Sequence, residues 1–97
     1  MSKDNIKIYR DKIDLIDKKI LRLIQERASH AVSIGKLKSK ISPKSSFYKP
    51  DRETKILRNI IKSNKKGILP DTKIRAIYKE LISGCLSLEA VSYTHLT

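Results

Sequence analysis

Residues 6–40 read IKIYRDKIDLIDKKILRLIQERASHAVSIGKLKSK and form the longest regularly patterned stretch of the chain. Apolar residues recur in it at spacings of three and four, which is the period of one face of an α-helix. They are Ile13, Ile16, Ile20, Leu23, Ile24, Ala31 and Ile34. The stretch contains no proline, and its only glycine is Gly35. We predict a single long helix, which would be a rod of roughly 50 Å.

Such a rod is longer than a compact domain of this size. The chain has 97 residues, enough for one domain, and a compact globule of that length is only about 30 Å across. The apolar face of residues 6–40 would therefore project beyond its own domain and needs a second helix to cover it. We predict an elongated homodimer in which the long helices pair.

The remainder of the chain predicts a loop and two shorter helices. Residues 39–49 carry serines and Pro43, which is typical of a loop. A second helix is predicted from Pro50, a residue suited to a first helical turn, to a stop signal at Gly67. A third begins around Pro70 and Asp71 and ends near Glu89. No strand pattern competes, so the predicted fold is all-α, with one long N-terminal helix and two shorter ones.

The last seven residues, VSYTHLT (91–97), do not continue the apolar pattern of the third helix. They resemble the translation of a sequencing adaptor read through at the end of a DNA fragment. We therefore expect a domain of residues 1–90 and a non-native tail of residues 91–97. The alternative is an ordinary frayed terminus.

Composition restricts the location and the partners of the chain. No apolar run reaches the roughly 18 residues of a membrane span, and residues 1–5 lack the apolar stretch of a signal peptide. The single cysteine, Cys85, cannot form an internal disulfide, so a cytoplasmic location is expected. The 22 basic and 10 acidic residues give a net charge of +12. Such a surface attracts anions, which include nucleic acids, anionic membranes and small polycarboxylates.

Three cations share the apolar side of the first helix: Arg10, Arg27 and Lys38. One interpretation is structural, with internal ion pairs (to Asp17, for example) or long side chains that reach water. We favour an anionic ligand. Arg27 and Lys38 are roughly 16 Å apart along the axis and can close on a small molecule. Arg10 lies about 25 Å from Arg27, but an antiparallel partner helix could bring its own Arg10 there.

The two shorter helices supply further candidates. Arg52 and Glu53 lie in the first turn of the second helix, where acidic residues also complement the helix dipole. Cys85 and Glu89 are four residues apart and share one face of the third helix. Each of these residues alone also has a purely structural explanation, such as a small core side chain for Cys85.

Taken together, these residues resemble the all-helical chorismate mutases, especially the N-terminal mutase domain of the bifunctional mutase–prephenate dehydratases. The resemblance covers residues 6–89 and rests on the order and spacing of five stretches: RDKID (10–14), residues 17–27, IGKLK (34–38), PDRE (50–53) and LISGCLSLE (81–89). It implies an intertwined homodimer that rearranges chorismate to prephenate without a metal or cofactor. One position departs from the family: Lys49 precedes Pro50 where many relatives have an aspartate that helps to bind the substrate hydroxyl.

The resemblance also implies a role for each candidate. Arg27 and Arg10 of the partner subunit would hold the two substrate carboxylates, since a guanidinium matches a carboxylate with two hydrogen bonds. Lys38 would contact the ether oxygen and a carboxylate. The remaining roles fall to the shorter helices: Glu53 accepts from the substrate hydroxyl with Arg52 close by, Cys85 lines the pocket, and Glu89 donates to the ether oxygen. A carboxylate cannot donate, so we predict that Glu89 is protonated in the productive complex.

Three alternatives stay open at this point. A lyase acting on isochorismate would use the same fold and a similar cationic pocket. A small basic nucleic-acid-binding module would use the net charge and lysines such as Lys62, Lys65 and Lys66, but the five aromatic residues lack the spacing of a stacking platform. A purely structural dimerisation domain would leave the aligned cations and Glu89 without a purpose.

Overall fold

The structure is a computed structural model that describes residues 3–41, 50–65 and 67–95, with side chains for residues 5–40, 51–65 and 67–89. It contains three α-helices: α1 (Lys3–Ile41), α2 (Pro50–Asn64) and α3 (Asp71–His95). No strand occurs within those ranges. The predicted all-α class, with one long helix followed by two shorter ones, is confirmed.

α1 continues beyond the predicted start of the loop at Ser39 and ends at Ile41. The Ser39 hydroxyl donates to the carbonyl oxygen of Lys36 at 2.7 Å, within the helix. Lys38 and Lys40 also place positive charge in the last turn, where the helix dipole favours it. The rest of the predicted loop, residues 42–49, lies outside the described residues, and Lys49 lies there too.

α3 is also longer than predicted, because it ends at His95 and not near Glu89. Residues 85–95 contain neither proline nor glycine, so no helix-terminating residue occurs there. Leu96, Thr97 and the side chains from Ala90 onward lie outside the described part of the chain. The domain boundary at residue 90 stays a prediction.

The molecule is elongated, with extents of 60 × 26 × 14 Å and a radius of gyration of 17.6 Å. A compact chain of this length would have a radius of gyration of about 12–13 Å. The 39 residues of α1 account for the long dimension, since a helix rises about 1.5 Å per residue. The predicted rod is therefore confirmed.

α3 organises the packing, because α1 and α2 both contact it. The core is small: among the described side chains, the buried apolar residues are Ala31, Leu57 and Cys85, one from each helix. Most of the apolar face of α1 is uncovered, and Ile13 and Leu23 are 55% and 58% exposed. This chain alone therefore does not bury the face that its sequence pattern predicts to be buried.

Asn64 connects the end of α2 to the start of α3. Its side-chain nitrogen donates to the Leu69 carbonyl oxygen at 3.3 Å and to Asp71 Oδ1 at 2.7 Å. Its carbonyl oxygen accepts from the Gly67 N–H at 2.9 Å. A Cβ on Gly67 would lie 2.8 Å from Asn64 Oδ1 and 3.1 Å from the Asn64 carbonyl oxygen. Only glycine fits at that position without displacing Asn64.

We expect Gly67→Ala to lower the free energy of unfolding by about 1–2 kcal/mol, because displacing Asn64 breaks hydrogen bonds worth about 1 kcal/mol each. Gly84→Ala is the matched control. A Cβ at Gly84, inside α3, meets nothing within 4 Å, so alanine there should raise stability by about 0.5–1 kcal/mol. Urea denaturation at one protein concentration measures both changes. An unchanged or higher stability in Gly67→Ala would contradict the steric argument.

None of the described helices combines the length and the apolar character that a bilayer crossing requires.

Candidate functional site

A cavity of about 240 Å³ lies between the three helices. It contains six of the seven side chains that the sequence singles out. The six are Arg27, Lys38, Arg52, Glu53, Cys85 and Glu89. The seventh, Arg10, does not line it. One site therefore collects candidates from all three helices.

α1 forms one wall of the cavity with side chains at spacings of three and four. Arg27, Ala31, Ile34 and Lys38 all line it. The small, buried Ala31 leaves room between the two cations, which are roughly 16 Å apart along the helix axis. The helical register predicted for residues 6–40 thus brings Arg27 and Lys38 to the same cavity.

α2 contributes through its first turn. Arg52, which is exposed, and Glu53, which is half-buried, both line the cavity, whereas Asp51 does not. Asp51 and Glu53 also place negative charge at the helix N-terminus, where the dipole favours it. The interaction with the helix dipole is a sufficient explanation for Asp51. Glu53 makes the same interaction and also lines the cavity.

α3 contributes Cys85 and Glu89, which are one helical turn apart, as the spacing predicts. Cys85 is a buried free thiol. Its small side chain combines with Ile56, Ile82 and Leu86 to give an apolar lining. The cavity thus pairs an apolar wall with a few charged groups, which is typical of small-molecule sites.

Lys38 and Glu89 contact each other across the cavity. Lys38 Nζ donates to Glu89 Oε1 at 3.0 Å, and the two side chains are 29% and 14% exposed. This ion pair joins α1 to α3 over 51 residues of sequence. Its partial burial reduces solvent screening, so the pair holds the ammonium group in a defined position more firmly than a surface pair would. The family resemblance implies that both residues contact the ether oxygen of the substrate, but the sequence does not predict that they form an ion pair.

The internal ion pairs considered for Arg10 and Arg27 are not formed among the described residues. Arg10 and Arg27 make no ion pair with any described residue, and Asp17 is exposed. Arg10 is exposed in the N-terminal part of α1, about 25 Å from Arg27. Arg10 therefore cannot reach the cavity of its own chain.

His30, which the sequence analysis does not single out, also lines the cavity. The available signal was its position, three residues after Arg27 and four before Ile34, which puts all three on neighbouring parts of one helix face. No group of three or more His, Cys, Asp or Glu side chains in the described ranges is arranged to hold a metal ion.

The cavity carries a net positive charge. Three cations (Arg27, Lys38 and Arg52) oppose two carboxylates (Glu53 and Glu89), which leaves one positive charge with His30 neutral. An anionic ligand with an apolar body suits this combination of charge and lining.

The chain is similar to known proteins over most of its length. The family model for chorismate mutase type II matches residues 9–90. A solved structure described as chorismate mutase (form II) from Thermus thermophilus superposes with a TM-score of 0.81 at 31% identity. The match covers 89% of this chain and 94% of that one.

Longer relatives match the same region. The bifunctional chorismate mutase/prephenate dehydratase of Neisseria gonorrhoeae is 44% identical over 81 residues, which is 84% of this chain and 21% of that protein. The enzyme with the same description from Aquifex aeolicus is 43% identical over 89 residues, 89% of this chain and 24% of that protein. The chain thus spans less than a quarter of the length of these relatives. With the family model matched over most of its length, this chain belongs to the chorismate mutase type II family.

Proposed function

We propose that this chain is a chorismate mutase that rearranges chorismate to prephenate in the cytoplasm, within the biosynthesis of phenylalanine and tyrosine. The observation that carries the proposal is the convergence of Arg27, Lys38 and Glu89 on one cavity in a member of this family. The comparisons do not favour the isochorismate lyase or the nucleic-acid-binding module.

The reaction breaks a C–O bond while a C–C bond forms within one molecule. It needs no nucleophile. The protein must hold the substrate in a folded conformation and oppose the negative charge that develops on the ether oxygen. A cavity with an apolar lining, cations on its walls and Lys38 held by an ion pair suits both needs.

We assign the groups as follows. Arg27 binds one substrate carboxylate, and Lys38 contacts the ether oxygen and a carboxylate. The Glu89 ion pair supports this role of Lys38, because it holds the ammonium group inside the cavity before substrate arrives. Glu53 accepts from the substrate hydroxyl with Arg52 beside it. Cys85 provides a small apolar surface.

We further propose that the working form is an intertwined homodimer with Arg10 supplied across the interface. Burying a large apolar side chain is worth about 1.5–3 kcal/mol, and the exposed face of α1 offers several. Arg10 of the partner subunit would raise the net charge of the cavity from one to two positive charges. That charge, counted with Glu89 ionised, balances a substrate with two carboxylates, and protonation of Glu89 in the productive complex would raise it to three.

The direct test follows the loss of the ultraviolet absorbance of chorismate on addition of purified protein, with identification of the product. We expect prephenate from the wild type. Arg27→Ala is expected to reduce kcat/KM by about a hundredfold or more, since a charge-assisted pair is lost. Isochorismate is assayed in parallel. Turnover of isochorismate but not of chorismate by the folded dimer would refute the mutase assignment.

Glu89→Gln should flatten the dependence of activity on pH. The hypothesis is that substrate binding breaks the Lys38–Glu89 ion pair and that Glu89 takes up a proton, so that wild-type activity falls as pH rises, because only the protonated acid donates to the ether oxygen. An amide keeps an oxygen that can accept from Lys38 and donates at every pH. We therefore expect the ratio of variant to wild-type kcat to grow with pH by up to about tenfold per unit. Parallel pH profiles of the two proteins would exclude a donor role for Glu89.

A further inference from the structure

A second cavity, of about 500 Å³, opens between α2 and α3. We call it the outer groove. Its lining residues are Glu53, Thr54, Leu57, Arg58, Ile61, Arg75 and Lys79. The α2 residues that line it lie roughly 120° around the helix from those that line the candidate active site. Glu53 is the one described residue that lines both cavities.

The outer groove concentrates positive charge. Arg58, Arg75 and Lys79 oppose a single carboxylate, Glu53. All three cations are exposed, and none forms an ion pair with a described residue. Arg75 and Lys79 are four residues apart on α3, where like charges repel each other. An anion bound between the cations would relieve this repulsion, so the groove has an electrostatic reason to take one.

The groove also has an apolar floor. Leu57 is buried and Ile61 is half-buried, and both line it. Surface cations that serve only solubility do not need such a floor. Two arginines that line the same groove as apolar side chains match an anionic head group joined to an apolar body, since the guanidinium fork binds phosphate through two hydrogen bonds.

We propose that the outer groove binds a small phosphate monoester with an apolar body, at a site separate from the active site. Three cations against one carboxylate leave two positive charges, which match a phosphate monoester dianion. The proposal does not depend on the mutase assignment, because it rests on the groove alone.

The experiment titrates the full chain with phenyl phosphate or inorganic phosphate and follows backbone amide signals by NMR. It is done in an Arg27→Ala background, which weakens anion binding in the candidate active site. Arg75→Ala/Lys79→Ala removes two groove cations. Lys55→Ala/Lys73→Ala is the matched control, because it removes the same net charge from exposed positions of α2 and α3 that do not line the groove.

We expect phenyl phosphate to shift signals of α2 and α3 around Leu57 and Arg75. Arg75→Ala/Lys79→Ala should weaken the binding of phenyl phosphate by about tenfold or more. Lys55→Ala/Lys73→Ala should weaken it by less than about twofold. Inorganic phosphate should bind more weakly than phenyl phosphate, because it does not use Leu57 and Ile61. If the two double variants lost the same affinity for phenyl phosphate, net charge alone would explain the binding, and the proposal would be overturned. Equal affinity for the two probes would overturn the apolar part of the ligand assignment.

Discussion

Lys38→Ala is expected to lower kcat/KM for chorismate by about a thousandfold or more, which corresponds to roughly 4 kcal/mol of transition-state stabilisation. In the proposed assignment, Lys38 contacts the ether oxygen and opposes the negative charge that develops there. Its removal also leaves Glu89 without its ion-pair partner, at 14% side-chain exposure. In its ionised form, the unpaired Glu89 carboxylate would repel a substrate that carries two negative charges. The loss of the Lys38 charge and the repulsion by Glu89 both lower kcat/KM.

Lys36→Ala is the control for Lys38→Ala. Lys36 is on the same helix, is exposed and does not line the cavity, so its removal changes the net charge equally. We expect less than about a twofold change, since exposed charges are well screened. The double variant Lys38→Ala/Glu89→Gln should recover part of the loss, because a neutral amide does not repel the substrate. If Lys38→Ala keeps more than a tenth of wild-type activity, Lys38 does not have the proposed role.

Mixed dimers of Arg10→Ala and Arg27→Ala chains are expected to recover activity that neither variant has alone. In the proposed dimer each site uses Arg27 of one chain and Arg10 of the partner subunit. Each single-variant dimer then lacks one arginine at both sites. A mixed dimer has one intact site and one site without either arginine. Random assortment makes about half of the dimers mixed, so about a quarter of wild-type activity should return.

The experiment combines equal amounts of the two variants, unfolds and refolds them together, and measures chorismate turnover. Each variant refolded alone gives the baseline, and the wild type carried through the same procedure gives the reference. Activity that stays at the baseline in a folded, mixed population would show that Arg10 does not complete the site of the other chain. The outcome separates a shared site from two self-contained ones.

Several features of the fold follow from local pattern. The spacing of Ile13, Ile20 and Ile34 predicts the long helix, because a helical face repeats every 3.6 residues whatever surrounds it. Pro50 predicts the start of α2 for a similar local reason. The predicted end of α3 was wrong, since the absence of proline and glycine after Cys85 lets the helix continue to His95.

Some features of the candidate site also follow from local spacing, and others depend on how the helices pack. Helical spacing places Arg27 and Lys38 on one helix face and Cys85 and Glu89 on another, and this spacing can be read from the sequence because it is a local property. Which of these faces contact each other depends on the packing of the three helices. This packing brought Lys38 to within 3.0 Å of Glu89 and added His30 to the cavity. The physical reason is that α3 packs against both other helices, and contacts between helices depend on how side chains interdigitate rather than on the period along either one.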